Sequence, residues 1–417
     1  MMRRYCHITV GFLMLATLLA SCIYENLPFT PRLSDSKIKG APVPPPARTS
    51  MEGIYKITKG SSLFGSYAVL KWHGKDLSLF TETQGCYFVM NAAHLDSVIY
   101  LEGYWRYSTN NNTGLVSLKI TKNKGGEKIL KGTPGSVIIE GAYGMEAGLP
   151  SSELIMEYER PFSQNVKSAN FYIMGHRSGG RNSDNLPVSE NSIDMIRYTR
   201  NFGNNGIEID IRLTKDHVPI IYHDPDINIR STTKGPLNGP VGNYTWDQIS
   251  TYVRLIHGER ITKLEDALTF VVDSTELRAV WLDMKGDANA MSVVIPLQQK
   301  TLARARQKNH PLEIWVGLPT QQVINDFLTY PGYTTIMSLC ELELDDVRKT
   351  NASVWSPRWT LGTQLDKVRE MHAEGRKVFS WTIDDQTFIK KFIQEGEFDG
   401  LLSNYSASTS YYFYMQE

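Results

Sequence analysis

The sequence predicts an α/β fold, a parallel (β/α)8 barrel, preceded by a small all-β domain. Three observations lead to this prediction. Residues 51–162 contain short runs rich in Tyr, Val, Ile and Leu that alternate with turn signals. From residue 168 onward, short apolar strands alternate with helical stretches, and eight such strands can be counted. The length of 417 residues is too great for one typical domain, so two folded units are expected.

The first 22 residues are predicted to be an export signal peptide. Arg3 and Arg4 precede an apolar run at 8–20, which is too short for an ordinary transmembrane helix. The run leads into Leu-Ala-Ser-Cys at 19–22, which resembles the lipobox of bacterial lipoproteins. This resemblance implies that Cys22 is lipidated and that the protein is anchored to a bacterial membrane on its periplasmic or cell-surface side. The alternative is a plain secretory signal in which Cys22 is incidental.

The next two segments are predicted to be a tether and a β domain. Residues 23–50 show little apolar periodicity and include a proline-rich stretch, which indicates an extended, partly stiff tether. Residues 51–162 are expected to form a small barrel or sandwich, but no motif assigns a role to it. Tyr104, Trp105 and Tyr107 could line a ligand groove, although such aromatic residues more often form cross-strand pairs and core.

The βα units of the barrel domain are expected within residues 168–417. A run at 218–223 continues the second strand after a tight turn. A doubly wound open sheet is the alternative, but no glycine-rich dinucleotide loop favours it. The predicted strands lie near 171–176, 206–212, 279–285, 313–318, 334–340, 353–357, 377–383 and 398–403. The predicted helices lie near 190–201, 245–255, 264–273, 288–308, 320–329, 343–350, 363–373 and 386–394.

Three acidic side chains lie on the predicted strands 206–212 and 279–285. Side chains two positions apart on a strand share a face, so Glu208 and Asp210 point together, away from the isoleucines between and beside them. Asp283 and Lys285 share a face in the same way. In a barrel, this face points inward at the carboxyl ends of the strands, where active sites of barrel enzymes lie.

Three carboxylates at one place repel one another unless a cation lies among them. We therefore predict that Glu208, Asp210 and Asp283 bind one divalent metal ion. Oxygen ligands suit Ca²⁺ or Mg²⁺, whereas zinc prefers nitrogen and sulfur. For any single carboxylate the alternative is an inward salt bridge with Lys285 or Arg177.

His176 and His223 are the candidate acid and base. An imidazole has an ordinary pKa of about 6.5, so it can give or take a proton near neutral pH. Arg177 and Lys285 are expected to bind phosphate oxygens. A lone histidine at a strand end is more often a plain polar residue, and the other histidines are interpreted in that way. Lys plus Arg and Asp plus Glu both number 44, so the net charge gives no support for a nucleic-acid partner.

Over residues 170–405, the chain resembles the glycerophosphodiester phosphodiesterase family. Several short segments match the motifs of that family in the same order. They are His-Arg-Ser at 176–178, Glu-Ile-Asp at 208–210, His-Asp at 223–224, Asp-Met-Lys at 283–285, Ser-Trp-Thr-Ile-Asp at 380–384 and Asp-Gly-Leu-Leu-Ser-Asn at 399–404.

The resemblance implies a TIM barrel that hydrolyses a small glycerophosphodiester to an alcohol and glycerol phosphate, with one bound Ca²⁺ or Mg²⁺. It implies that Trp381 lines the alcohol side of the substrate, for which core packing is the alternative. The rival functions are phospholipase D-like cleavage of lysolipids or sphingolipids, and a non-catalytic, surface-binding lipoprotein. The implied roles are metal binding by Glu208, Asp210 and Asp283, proton transfer by His176 and His223, and phosphate binding by Arg177 and Lys285.

The chain also departs from the family pattern. Ser178 stands where the family has glycine, and Asp283 is one methylene shorter than the glutamate of the family. After Asn404 no full final helix is expected, and the aromatic residues at 411–414 are interpreted as a closing segment.

Overall fold

The structure is a computed structural model that describes residues 40–133 and 135–417. The predicted signal peptide, Cys22 and residues 23–39 of the predicted tether lie outside the described residues. Within the described part of the chain, none of the helices has both the length and the apolar character that crossing a membrane requires.

The first folded part is a closed antiparallel barrel. Strand β5 pairs with both β4 and β6, and the pairing with β6 closes a ring that consists of strands β2 to β9. Of the three aromatic residues considered for a groove, Trp105 packs in the barrel core, Tyr107 is also buried, and Tyr104 faces the second barrel. The strands are β1 (Ala41–Pro42), β2 (Gly53–Lys59), β3 (Tyr67–His73), β4 (Asp76–Thr81), β5 (Tyr87–Leu95), β6 (Val98–Arg106), β7 (Thr113–Ile120), β8 (Ile138–Tyr143) and β9 (Ser152–Arg160).

Residues 41–50 do not form an extended tether, and the sequence prediction was wrong there. Strand β1 pairs antiparallel with β5, and residues Pro45–Met51 form a helix. Proline suits the first turn of a helix, because the backbone N–H that it lacks would have no partner there. Ala47 and Met51 of this helix are fully buried, so apolar packing against the barrel holds the segment in place.

The second folded part is a closed barrel of eight parallel strands, which confirms the predicted fold class. Strand β10 pairs with both β11 and β21 and thereby closes the ring. Strand β12 folds back antiparallel onto β11 after a tight turn, as expected from the sequence. The eight parallel strands are β10 (Tyr172–Gly175), β11 (Gly206–Leu213), β16 (Ala279–Met284), β17 (Glu313–Leu318), β18 (Ser338–Cys340), β19 (Val354–Trp355), β20 (Lys377–Ser380) and β21 (Gly400–Ser403). Four short antiparallel strands are not part of the ring, namely β12 (Pro219–Ile221), β13 (Asp226–Ile227), β14 (Gly239–Pro240) and β15 (Thr262–Lys263).

Helices cover the outside of the parallel barrel. In the first part of the chain, the helices are Pro45–Met51, Ser61–Phe64, Gly126–Leu130 and Gln164–Ser168, the last of which lies between the two barrels in sequence. Around the parallel barrel they are Ile193–Tyr198, Trp246–Tyr252, Leu264–Ser274, Ala290–Gln307, Gln321–Leu328, Leu344–Thr350, Leu365–Ala373, Gln386–Glu395 and Ser406–Tyr414.

A full final helix, Ser406–Tyr414, follows the last strand, so the expectation that none would form was wrong. Serine, threonine and tyrosine have weak intrinsic helix propensity, and the sequence therefore gives little local signal. The small side chains of Ser408 and Thr409 are fully buried, and the Ser410 hydroxyl donates to the Phe202 carbonyl at 2.7 Å. Close packing between the two barrels determines this helix.

The two barrels share one apolar cluster. Phe80 and Tyr87 of the first barrel pack with Phe202 of the second, and the Tyr104 and Tyr198 hydroxyls lie 2.6 Å apart. Arg106 of β6 is also buried and donates to the backbone carbonyls of Asp184 and Asn185 at 3.0 and 2.8 Å. Asp184 and Asn185 belong to the loop 178–189, which follows His176 in the sequence. The first barrel therefore supports a loop beside the candidate site described below.

A histidine at this interface predicts acid sensitivity. Burial, together with the charges of Lys71 and Arg200, lowers the pKa of His73 from 6.5 to about 3. Such a group takes up a proton more readily in the unfolded chain, so its stabilising effect is present above pH 6.5 and is lost as the pH falls toward 3. We expect His73→Gln to show a smaller decrease of Tm between pH 6.5 and about 4 than the unsubstituted protein, measured by circular dichroism. Identical decreases in the two proteins would contradict the assignment.

Candidate active site

A cavity of about 550 Å³ opens at the carboxyl ends of the parallel strands. Seven of the residues proposed from the sequence line it, which brings together groups that are far apart along the chain. Asp210 does not line the cavity and lies beneath it, in contact with Lys285. The seven lining residues are His176, Arg177, Glu208, His223, Asp283, Lys285 and Trp381.

The three predicted metal ligands form one acidic cluster. Glu208 and Asp210 lie on β11 and Asp283 lies on the adjacent strand β16, where Asp210 and Asp283 are direct partners in the register. One carboxylate oxygen from each residue lies within 4.8 Å of the other two. Glu208 is 2% exposed and Asp210 is fully buried, so the cluster is largely withdrawn from water.

The electrostatics of this acidic cluster are unfavourable without an added cation. Burial, followed by the charges of Asp210 and Asp283, raises the pKa of Glu208 well above its ordinary value. The Oε1 atom of Glu208 and the Oδ1 atom of Asp283 have no hydrogen-bond partner among the described residues. A divalent cation would neutralise the repulsion and take these free oxygens as ligands, so the residues present fit a Ca²⁺ or Mg²⁺ site.

Lys285 lies within the acidic cluster. Its Nζ atom is 2.6 Å from Asp210 Oδ1, and it also pairs with Asp283. Burial opposes ionisation of Asp210, but Lys285 and the imidazoles of His223 and His176 outweigh it and lower the pKa of Asp210 to about 2. The inward salt bridge considered as an alternative is therefore present for Asp210 and Asp283. Among the described residues, no lysine or arginine side chain forms such a contact with Glu208.

The imidazole of His176 is held in one orientation. Asn404 donates through Nδ2 to Asp384 at 2.7 Å, so its Oδ1 atom faces His176 Nδ1 at 2.8 Å. Since Oδ1 can only accept, Nδ1 carries the proton and Nε2 is left with its lone pair, 3.8 Å from Glu208. Burial lowers the pKa of His176 below its ordinary value, although Asp210 opposes the shift. His176 is thus prepared to accept a proton.

His223 is supported by a carboxylate. Its Nδ1 atom lies 2.8 Å from Asp224 Oδ1, and Asp224 accepts further hydrogen bonds from Arg230 at 2.7 and 2.8 Å and from Asn228 at 2.8 Å. Burial disfavours the charge of Asp224, but the hydrogen bonds from Arg230, His223 and Asn228 outweigh it and hold the pKa of Asp224 below its ordinary value. The Asp224 carboxylate accepts from the Nδ1–H of His223 and thereby fixes the imidazole ring, with Nε2 directed toward Arg177.

The Arg177 guanidinium connects these groups. It donates to His223 Nε2 at 2.9 Å and to both oxygens of Glu190 at 3.2 Å, while its backbone N–H donates to Glu208 at 2.7 Å. Arg177 and Ser178 have φ angles of 52° and 73°, the left-handed region that favours glycine. Position 178, where the glycerophosphodiester phosphodiesterase pattern has glycine, therefore requires a positive φ angle. The left-handed conformation of Ser178 costs about 1–2 kcal/mol of conformational energy.

Trp381 forms part of the cavity wall. Its Nε1–H donates to the Ser356 carbonyl at 2.9 Å, which fixes the ring. The ring meets Trp281 edge to face at 6.4 Å, and the guanidinium of Arg358 lies 4.9 Å from the ring centre. The Trp381 ring therefore packs against Trp281 and also forms part of the cavity lining.

Sequence reasoning assigned no role to the residues that orient the site. Asn404 and Asp224 belong to the matched motif segments, and this match was the only indication in the sequence that they lie at the site. Asn191, whose Nδ2 donates to Asp210 at 2.6 Å, lies outside the motif segments given above. The orienting residues are Glu190, Asn191, Asp224, Arg230, Asp384 and Asn404.

Comparison with known proteins identifies similar chains. Residues 176–310 match the model of the Glycerophosphoryl diester phosphodiesterase family. A glycerophosphodiester phosphodiesterase of Caldanaerobacter subterraneus subsp. tengcongensis is 23% identical over 244 residues, which cover 56% of this chain and 93% of that protein. A glycerophosphocholine phosphodiesterase of Candida albicans is 38% identical over 55 residues, which cover 12% of this chain and only 5% of that protein.

Solved structures are similar as well. The crystal structure of a glycerophosphodiester phosphodiesterase from Parabacteroides distasonis covers 59% of this chain and 97% of its own length, with 18% identity and a TM-score of 0.47.

Proposed function

Because residues 176–310 belong to the glycerophosphoryl diester phosphodiesterase family, we propose that this chain is a metal-dependent phosphoric diester hydrolase. The proposed reaction converts a glycerophosphodiester and water to an alcohol and glycerol phosphate. The observation that supports it is the convergence of His176, His223 and the acidic cluster on one cavity.

We assign the metal site to Glu208, Asp210 and Asp283, with Ca²⁺ or Mg²⁺ as the ion. When bound, such an ion supplies Lewis-acid polarisation of a phosphate oxygen. Lys285 and Arg177 provide the remaining positive charge and stabilise the phosphoryl group in the transition state. A substrate phosphate would accept the Arg177 hydrogen bond that His223 Nε2 accepts in this structure.

We assign the first proton transfer to His176. Its Nε2 lone pair accepts the proton of the nucleophile, which is water or the neighbouring hydroxyl of the glycerol. We assign the second proton transfer to His223. Once Arg177 has turned from His223 Nε2 to the substrate phosphate, Nε2 can take up a proton from water and give it to the departing alkoxide. The nucleophile–phosphorus bond forms as the phosphorus–alkoxide bond breaks, and the two imidazoles end in exchanged protonation states. If the glycerol hydroxyl is the nucleophile, this step gives a cyclic phosphate, which water then opens to glycerol phosphate with the two imidazoles in reversed roles. Asn404 is a positioning residue, because it fixes which nitrogen of His176 is free.

The activity test uses purified protein without the signal peptide, saturated with Ca²⁺ or Mg²⁺. Glycerophosphocholine, glycerophosphoethanolamine and glycerophosphoinositol are supplied separately, as are lysophosphatidylcholine and sphingomyelin. Release of glycerol phosphate from the glycerophosphodiesters supports the proposal. Choline release from the lipids alone would identify phospholipase D-like cleavage instead. The absence of both products with either metal would leave the non-catalytic, surface-binding function.

We also propose that the protein is exported and anchored through a lipid on Cys22. The support is the Leu-Ala-Ser-Cys segment at 19–22 that follows the apolar run. Expression in a bacterium that is fed labelled palmitate should give a labelled protein in the membrane fraction. Cys22→Ser should carry no label, and labelling of this variant at the same level would contradict the assignment.

A further inference from the structure

Three residues of the cavity form a wall, here called the headgroup wall, that the acid–base chemistry does not use. Glu341 follows β18, Arg358 lies in the segment after β19, and Trp381 follows β20. All three line the same cavity as His176 and Glu208. The wall therefore borders the space in which the substrate is expected to lie.

Two side chains of opposite charge in the headgroup wall have no salt-bridge partner among the described residues. The other charged side chains that line the cavity are already paired or belong to the acidic cluster. Arg177 contacts Glu190, and Lys285 contacts Asp283. Among the described residues, Glu341 and Arg358 form no salt bridge with each other or with any other side chain, although they line one cavity.

The surroundings of Glu341 favour a cation beside it. Glu341 lines the same cavity as the Asp283 carboxylate, and it has no salt-bridge partner among the described residues. A further positive group in contact would stabilise its carboxylate. The exposed guanidinium of Arg358 is fixed over the Trp381 ring at 4.9 Å and presents planar donors that suit a carboxylate.

We propose that the substrate carries an alcohol half with both an ammonium and a carboxylate group, as a serine head group does. Glu341 binds the ammonium, Arg358 binds the carboxylate, and the Trp381 ring contacts the carbon atoms between them. The inference rests on the proposed phosphodiesterase function and names its substrate class. A neutral alcohol such as glycerol, or a purely cationic one such as choline, would leave at least one of the two charges without a partner.

The test compares kcat/KM for glycerophosphoserine, glycerophosphoethanolamine and glycerophosphoglycerol at saturating metal. We expect glycerophosphoserine to be preferred over the other two by about tenfold, the effect of one charged hydrogen bond. Arg358→Gln should lower the value for glycerophosphoserine about tenfold and leave glycerophosphoethanolamine within about twofold. Glu341→Gln should lower the values for both ammonium-bearing substrates and leave glycerophosphoglycerol unchanged.

The matched control is Arg306→Gln, which replaces an exposed arginine on the outer helix Ala290–Gln307. It should leave all three substrates unchanged. Equal kcat/KM for the three substrates, or an Arg358→Gln effect of the same size on each, would overturn the inference and leave the phosphodiesterase function intact. A uniform loss in Glu341→Gln would show a role in the chemistry rather than in selection and would also overturn it. If the unsubstituted protein hydrolyses none of the three, the proposed function fails and the inference fails with it.

Discussion

Replacement of His176 or His223 by alanine is expected to lower kcat about a thousandfold, the usual size of a general acid or base contribution. His176→Ala removes the only imidazole nitrogen that the Asn404 hydrogen bond leaves free toward Glu208. His223→Ala removes the imidazole that Asp224 orients and to which the second proton transfer is assigned. Release of glycerol phosphate at saturating substrate and metal measures both effects.

The control for this prediction is His217→Asn, a substitution at an exposed turn outside the cavity. Residue 217 has a φ of 60°, which asparagine tolerates, so this variant should keep the activity and the Tm of the unsubstituted protein. Circular dichroism should show intact folds for the two alanine variants. Near-normal turnover in either of them would make the acid–base assignment wrong.

Removal of the metal by a chelator is expected to reduce turnover to the background rate, and Ca²⁺ or Mg²⁺ should restore it. In Glu208→Gln, which loses one of three predicted ligands, the added ion should not restore turnover. A second measurement does not depend on activity. An ion that binds only the folded state raises Tm, so saturating metal should raise the Tm of the unsubstituted protein by several degrees and that of Glu208→Gln much less.

The same variant tests the electrostatics of the acidic cluster. The folded-state pKa of Glu208 is raised, so its favourable contribution is present below pH 4.5 and is lost as the pH rises through the raised value. At neutral pH and without metal, Glu208→Gln should therefore be no less stable than the unsubstituted protein. A large loss of stability, or full activity after complete removal of metal, would contradict the metal assignment.

The barrel and its acidic cluster were predictable because local and long-range requirements coincide in β11. Ile207, Ile209 and Ile211 are buried against the outer layer, and the carboxylates between them are buried toward the barrel axis. A polar residue at every second position of an otherwise apolar strand has few explanations other than an inward site. The lengths of strands β18 and β19 were overestimated. Before β18, the apolar residues Ile336 and Met337 lie outside the hydrogen-bonded segment.

The features that the sequence did not predict depend on contacts across long stretches of chain. The partner of His176 is Asn404, 228 residues away, and no local pattern identifies an amide as the group that fixes a tautomer. The Pro45–Met51 helix and the Ser406–Tyr414 helix form from sequences with weak helical signals, because each buries its side chains against a surface that exists only in the folded protein. The hydrogen bonds from Arg106 to the loop beside the site likewise form only when both barrels are folded and in contact.

The most direct test is anomalous diffraction from crystals of the protein loaded with Mn²⁺, a detectable ion that oxygen ligands also accept. The account predicts one strong peak with Glu208, Asp210 and Asp283 as ligands and with His176 and His223 beside the same cavity. A peak held by other residues, or none at these three carboxylates in a preparation that hydrolyses glycerophosphodiesters, would contradict it.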